Sequence, residues 1–148
     1  MKVHHHKMSL FDAPKGSCLI HACNAMGVWR SGIAVEFSRR FPNAYTIYRA
    51  YCSHFPAVTG DGLAIRDKDF YIGCLITSKD FGCNKDQPEV ILAQTATALD
   101  GLLRSVPHNV PLYSCKFNSG LFQVEWSRTE KLLLDHMDER DWHVCDPT

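Results

Sequence analysis

The run FYIGCLIT, Phe70 to Thr77, is apolar at almost every position. A strand with one wet face alternates apolar and polar side chains, whereas one without alternation is covered on both faces. Such a strand needs helices above and below its sheet, and the rest of the pattern supplies them. Cys18 to Asn24 is a second apolar run and predicts another buried strand. Gly32 to Phe41 predicts a helix, with Ile33, Val35 and Phe37 apolar. Arg39 and Arg40 fall in its last turn, where the helix dipole favours positive charge, and Pro42 ends it. Tyr48, Tyr51, Cys52 and Phe55 recur at i, i+3, i+4 and i+7 and predict a helix over 43–55.

Gly60 and Gly62 open a loop before a strand from Leu63 to Arg66. Gln87 caps a helix with Pro88 at its first position, buried through Leu92, Thr95, Leu99, Leu102 and Leu103. Leu112 to Cys115 predicts a strand. Ser127 and Glu130 form a capping box for a helix carrying Leu132, Leu133 and Leu134. DWHVC predicts a last strand. The order β β α α β β α β α β defines an α/β fold with its sheet covered on both faces. Neither a repeat nor a linker interrupts it, so residues 1–148 are expected to form one domain.

At 148 residues the chain can bury roughly 68–70% of its unfolded surface without staples. Lys plus Arg and Asp plus Glu are 16 each. That balance argues against direct nucleic-acid binding through bulk positive charge. Seven cysteines, none in a C-x-x-C pair, fit a reducing, cytoplasmic compartment better than a disulfide framework. No apolar run approaches ~18 residues, so no membrane span is expected. A secretory leader would need an apolar core that the first residues lack.

The segment MKVHHHKM reads either as a shortened purification tag or as part of a first strand over Lys2 to Leu10. Three histidines are few for a tag, which favours the strand, with Val3, His5 and Met8 turned inward. Adjacent strand residues point to opposite faces and do not converge on one ion. No metal motif is visible elsewhere, so neither a metal nor a cofactor is expected.

In α/β folds, ligands sit at the carboxyl ends of the strands. Three loops leave such ends here, after Asn24, Thr77 and Cys115. In the first, an Asn24 amide can pair with a sugar hydroxyl, and Gly27 and Gly32 allow close backbone approach. The amides opening the Gly32 helix suit an anion. In the third, Asn118, Ser119 and Gly120 present further backbone donors and Phe122 a ring. Each loop alone could equally be a plain turn, but two at one sheet edge favour a ligand.

LIHACNAMGVWRSGIAVEFSRRFP, CLITSKDFGCNKDQPEVIL and NSGLFQVEWSRTEKLL resemble, in order, three blocks of the macrodomain family. The resemblance is to its ADP-ribose 1″-phosphate phosphatase branch. It implies a mixed central sheet between helices and a small ligand built on ADP-ribose. Asn24 would hold the distal ribose, with Ala22 and Cys23 among the ligand-binding residues. Trp29, Arg30, Ser31, Gly32, Ile33 and Ala34 would wrap the diphosphate. Asn118, Ser119, Gly120, Leu121, Phe122, Gln123 and Val124 would close from the other side. The branch uses a histidine, matching His21, and an aspartate, matching Asp86 with Asp80 as the alternative. A histidine titrates near neutrality and a carboxylate can pass a proton or activate water.

The sequence departs from that pattern in three places. Met8 and Ser9 stand where the family has Gly-Asp or Gly-Asn to contact adenine, leaving Ser9 and Leu10 at the base end. Arg30 and Gln123 replace glycines beside the phosphates. Arg30 can supply a charge-assisted contact or obstruct the pose. Phe122 stands where another branch carries the aspartate of a de-ADP-ribosylating hydrolase, which argues against that chemistry. The expected activity is hydrolysis of ADP-ribose 1″-phosphate, and the alternative is a non-catalytic ADP-ribose binder. Neither the sequence nor the resemblance sets an oligomeric state.

Overall fold

The computed structural model describes residues 2–148. Six strands form one sheet: β1 (Val3–His6), β2 (Cys18–Asn24), β3 (Gly62–Asp67), β4 (Phe70–Ser78), β5 (Leu112–Ser114) and β6 (Trp142–Cys145). Their spatial order is β1-β6-β5-β2-β4-β3. All neighbours run parallel except β3, which lies antiparallel to β4. The sheet is therefore mixed, and its two longest strands, β2 and β4, are adjacent near its middle.

Helices α1 (Ile33–Arg40), α2 (Pro42–His54), α3 (Pro88–Ser105) and α4 (Trp126–His136) cover it. Alternation along the central strands feeds two cores. Leu19 and Cys23 of β2 join Ile72, Cys74 and Ile76 of β4 beneath Phe37 of α1 and Ala44 and Tyr48 of α2. Cys18 and Ile20 join Leu75 on the other face, under Leu99 and Leu102 of α3, Leu133 of α4 and Trp142. At Gly62 an added Cβ would stand 2.1 Å from the Ala98 carbonyl oxygen. A bare backbone there lets α3 press directly on β3.

Several elements differ in detail from the sequence expectation. The first strand stops at His6, and Leu10–Asp12 form a 3-10 turn capped by the Ser9 hydroxyl, which accepts from the Phe11 amide at 3.3 Å. His5 does not face inward: it is exposed and meets Glu130 at 2.7 Å, while His4 and His6 occupy the opposite, half-buried face. The capping box does not form. Helix α4 begins two residues earlier, at Trp126, after Glu125, and its cap makes no side-chain bond. Pro42 ends α1 and at once supplies the first residue of α2. The buried stripe of α3 includes Ile91 and Ala98, with Leu92 only half-buried.

Candidate functional site

A cavity of about 890 Å³ opens where β2, β4 and β5 end. Three segments meet around it. The β2–α1 loop contributes Ala22, Cys23, Asn24, Val28 and Trp29 through Ala34. The β4–α3 loop contributes Phe81, Gly82, Cys83 and Lys85. The β5–α4 loop contributes Cys115 through Gln123.

Asn24 organises the first loop from inside. Its Oδ1 accepts from the amides of Met26 (3.0 Å) and Val28 (3.2 Å) and from the Tyr48 hydroxyl (3.2 Å), while its Nδ2 donates to the Val28 carbonyl (2.8 Å). The Tyr48 hydroxyl also donates to the Asn24 carbonyl. The register with β4 slips between Cys23 and Asn24, which frees the chain to leave the sheet at that point. Trp29 then folds back, stacked on Tyr45 and Tyr48 with ring centroids 5.0 and 4.9 Å away. Gly32 follows at φ +62 and ψ −146, a conformation that essentially only glycine adopts. From it α1 starts with no side-chain cap; the Val35 amide turns back to the Gly32 carbonyl at 3.2 Å, and the amides ahead of it have no acceptor within the helix.

The third loop is anchored by Asn118, which is buried. Thr77 donates to its Oδ1 at 2.9 Å, and its Nδ2 donates to Thr95 at 3.0 Å, tying the loop to β4 and α3 together. The Val124 amide closes the loop on the Asn118 carbonyl at 2.8 Å. Asn118 and Gln123 both take positive φ, 68 and 58. The glycine expected at position 123 is thus replaced by a residue that keeps the left-handed backbone. The two loops touch: a Cβ on Gly32 would lie 3.4 Å from Leu121.

The wall formed by the described residues carries three cations, Arg30, Lys85 and Lys116, and no Asp or Glu. Lys116 also meets Asp146 at 3.1 Å. Phe81 and Leu121 flank the mouth and are 45% and 60% exposed. Sequence reasoning did not single out Val28, Phe81–Lys85 or Cys115–Phe117. The loop after Thr77 was already a candidate strand end, and that was the available signal.

Six of the residues singled out from sequence lie off this wall. Ser9 caps the 3-10 turn, and Leu10 and Val124 are buried in or against the core. His21 is fully buried: its ring stacks on Phe37 at 3.8 Å and meets the edge of Trp29 at 4.8 Å. The carboxylate of Asp86 accepts from the Lys79 amide at 2.8 Å, and that of Asp80 from the Phe81 amide at 2.7 Å. Among the described residues no hydrogen bond joins His21 to either aspartate.

His21 faces sulfur instead. Its Nε2 lies 3.5 Å from Cys23 Sγ, and both residues cluster with Cys74. Burial raises the Cys23 thiol, but hydrogen bonds from Cys74, the charge and hydrogen bonding of His21 and a hydrogen bond from Trp29 outweigh it and bring the thiol below its ordinary range. Burial drives Cys74 the other way, and Cys115 up to about 12.

This architecture is the macrodomain fold: the macrodomain of Mycobacterium tuberculosis DarG superposes with a TM-score of 0.82 over 99% of this chain and 98% of that one, at 21% identity. No protein-family model matches. The ADP-ribose 1″-phosphate phosphatase of Aspergillus clavatus is 35% identical, with 85% of each chain aligned. That of Lodderomyces elongisporus is 36% identical over 90% of this chain and 89% of the relative. The chain belongs to the ADP-ribose 1″-phosphate phosphatase family of macrodomains.

Proposed function

We infer that this chain, as one domain over residues 1–148, binds ADP-ribose 1″-phosphate in the cavity and hydrolyses its phosphomonoester to ADP-ribose and inorganic phosphate. The observation that carries this is the wall of three cations without a carboxylate, beside the uncapped start of α1. A ligand with a diphosphate and a terminal phosphate needs that sign of field at several points. The relatives of this family support the same reading. The diphosphate takes the amides opening α1, and Arg30, Lys85 and Lys116 offset the remaining charge. The Phe81 ring provides a platform for adenine in place of an acidic residue near Ser9. No metal, nucleic acid or membrane enters this reading, and no described helix is long and apolar enough to cross a bilayer. Seven free cysteines suit a reducing, cytoplasmic setting.

In the reaction, water attacks phosphorus and the bond from phosphorus to the ribose oxygen breaks, that oxygen leaving with a proton. His21, with Asp86 or Asp80, is assigned to this proton traffic. A second reading, a binder without turnover, is favoured by one observation: His21 lies behind the wall and the aspartates are held by their own loop. Incubation with ADP-ribose 1″-phosphate separates the two. Phosphate release by wild type, lost in His21→Ala while ADP-ribose binding persists, is the expected outcome. Binding without release in wild type leaves only the binder. Loss of binding and release together in His21→Ala would reduce that residue to a support for the floor.

A further inference from the structure

We propose that His4, His6 and His143 form a three-imidazole site for a divalent transition-metal ion such as zinc, at the β1 edge of the sheet and apart from the cavity. His4 and His143 are register partners on the parallel strands β1 and β6. His6 lies two residues beyond His4 and shares its face, whereas His5 points the other way. Trp142 and Val144, on either side of His143, enter the core beneath α3 and α4, which turns His143 to the face that His4 and His6 occupy. An H-x-H pair on one strand and a third histidine on its neighbour thus stand on one side of the sheet. The His143 ring lies 4.9 Å from that of His4 and 5.0 Å from that of His6, and the outer two are 6.4 Å apart. With metal–nitrogen bonds of about 2.0–2.1 Å, imidazole rings around a tetrahedral ion stand roughly 5 Å apart. Ring rotation and a closing of the His4–His6 gap by about 1 Å complete the site.

The donor atoms agree. His6 Nε2 already meets His143 Nδ1 at 2.8 Å, so one proton lies between two nitrogens that an ion needs bare. On binding, the ring that carries it moves it to its other nitrogen, and neither imidazole changes charge. His4 Nε2 meets the Asp141 carboxylate at 3.0 Å. That bond keeps the proton on Nε2 and leaves Nδ1 for the metal, the carboxylate–histidine pairing that supports ligands in metal sites. Tyr113 stacks on His143 at 4.5 Å from the β5 side and fixes its plane. All three histidines are half-buried, so solvent water reaches the fourth corner. None of the three lines the cavity. The ion instead clamps the four-residue edge strand β1 to β6, and phosphate release is expected to be the same with and without it.

The test is titration of the full chain, carrying no added tag, with Zn(II), followed through the imidazole nitrogen resonances. One equivalent is expected to shift His4 Nδ1, His6 Nε2 and His143 Nδ1 and to leave His5 unmoved. His143→Ala should weaken binding by at least about 100-fold, the upper range for loss of even an outer-shell partner. His5→Ala should leave it unchanged. Histidines close in sequence can also chelate without any fold. In that case His5→Ala weakens binding as much as His4→Ala does and His143→Ala has no effect, which overturns the proposal. Folded wild type whose three histidines stay unmoved in excess Zn(II) does so too. Should His143→Ala not fold, X-ray absorption of zinc-loaded wild type decides. Three ring nitrogens without sulfur support the site, and a shell containing sulfur overturns it.

Discussion

Gly32→Val weakens ADP-ribose binding by on the order of 100-fold or more, measured by calorimetry, while the thermal midpoint falls by only a few degrees. Gly32 holds φ +62 and ψ −146 at the junction between the β2–α1 loop and α1. A non-glycine residue there carries about 1–3 kcal/mol of strain, and β-branching tightens the restriction. The new side chain also meets Leu121 across the gap between the two loops, where a Cβ alone already comes to 3.4 Å. The exposed loop can relieve both by turning its peptide planes. Doing so points the first amides of α1 away from the phosphates, so the loss falls on binding rather than on the fold. Binding at wild-type strength would remove the start of α1 from the ligand's site.

Arg140→Met destabilises the protein by about 3–5 kcal/mol, the range for breaking a buried ion pair. At this chain length that is a fall of roughly 10 °C or more in thermal midpoint. The Arg140 side chain is only 7% exposed. Its guanidinium donates to the carbonyls of Leu103 (2.6 Å), Val106 (2.8 Å) and Pro107 (3.2 Å), and to Asp138 (2.7 Å). It thus caps the carboxyl end of α3, where the dipole is negative. Methionine fills the volume but leaves those carbonyls without the guanidinium, and Asp138 with only the backbone amide of residue 140, at 2.9 Å.

The pH dependence has a definite sign. Hydrogen bonds from Arg140 hold the Asp138 carboxyl below its ordinary range despite partial burial. A depressed folded-state value contributes stability above the unfolded value and loses it as pH falls through the folded one. The gap between wild type and Arg140→Met should therefore be full near neutrality and narrow in acid. A gap that widens on acidification would contradict the pairing.

These two residues mark what the sequence could and could not disclose. The near-continuous apolar runs of β2 and β4 announced a covered sheet, and the prolines and glycines bounded its helices. Gly32 stood out at a strand-to-helix junction. Arg140 did not, because its three carbonyl partners lie on a segment more than thirty residues away. The Ser127–Glu130 spacing matched a capping box, yet α4 starts two residues earlier, after Glu125. Indole packing decided that boundary: Trp126 enters the helix and meets Phe117 at 5.6 Å. His21 was legible as a reactive residue type near a strand end. Alternation along β2 turns it onto the face that α1 and α2 cover, among Phe37 and Trp29. Which face a strand residue takes depends on register with its neighbours, and a single strand's sequence leaves that open.

The central claim is that ADP-ribose occupies the hollow between the β2–α1 and β5–α4 loops. Amide resonances followed during titration with ADP-ribose test it directly. The largest shifts are expected on residues 29–34 and 118–124, with smaller ones at 81–85. Shifts confined to another face of the sheet, or none at millimolar ligand, would contradict it.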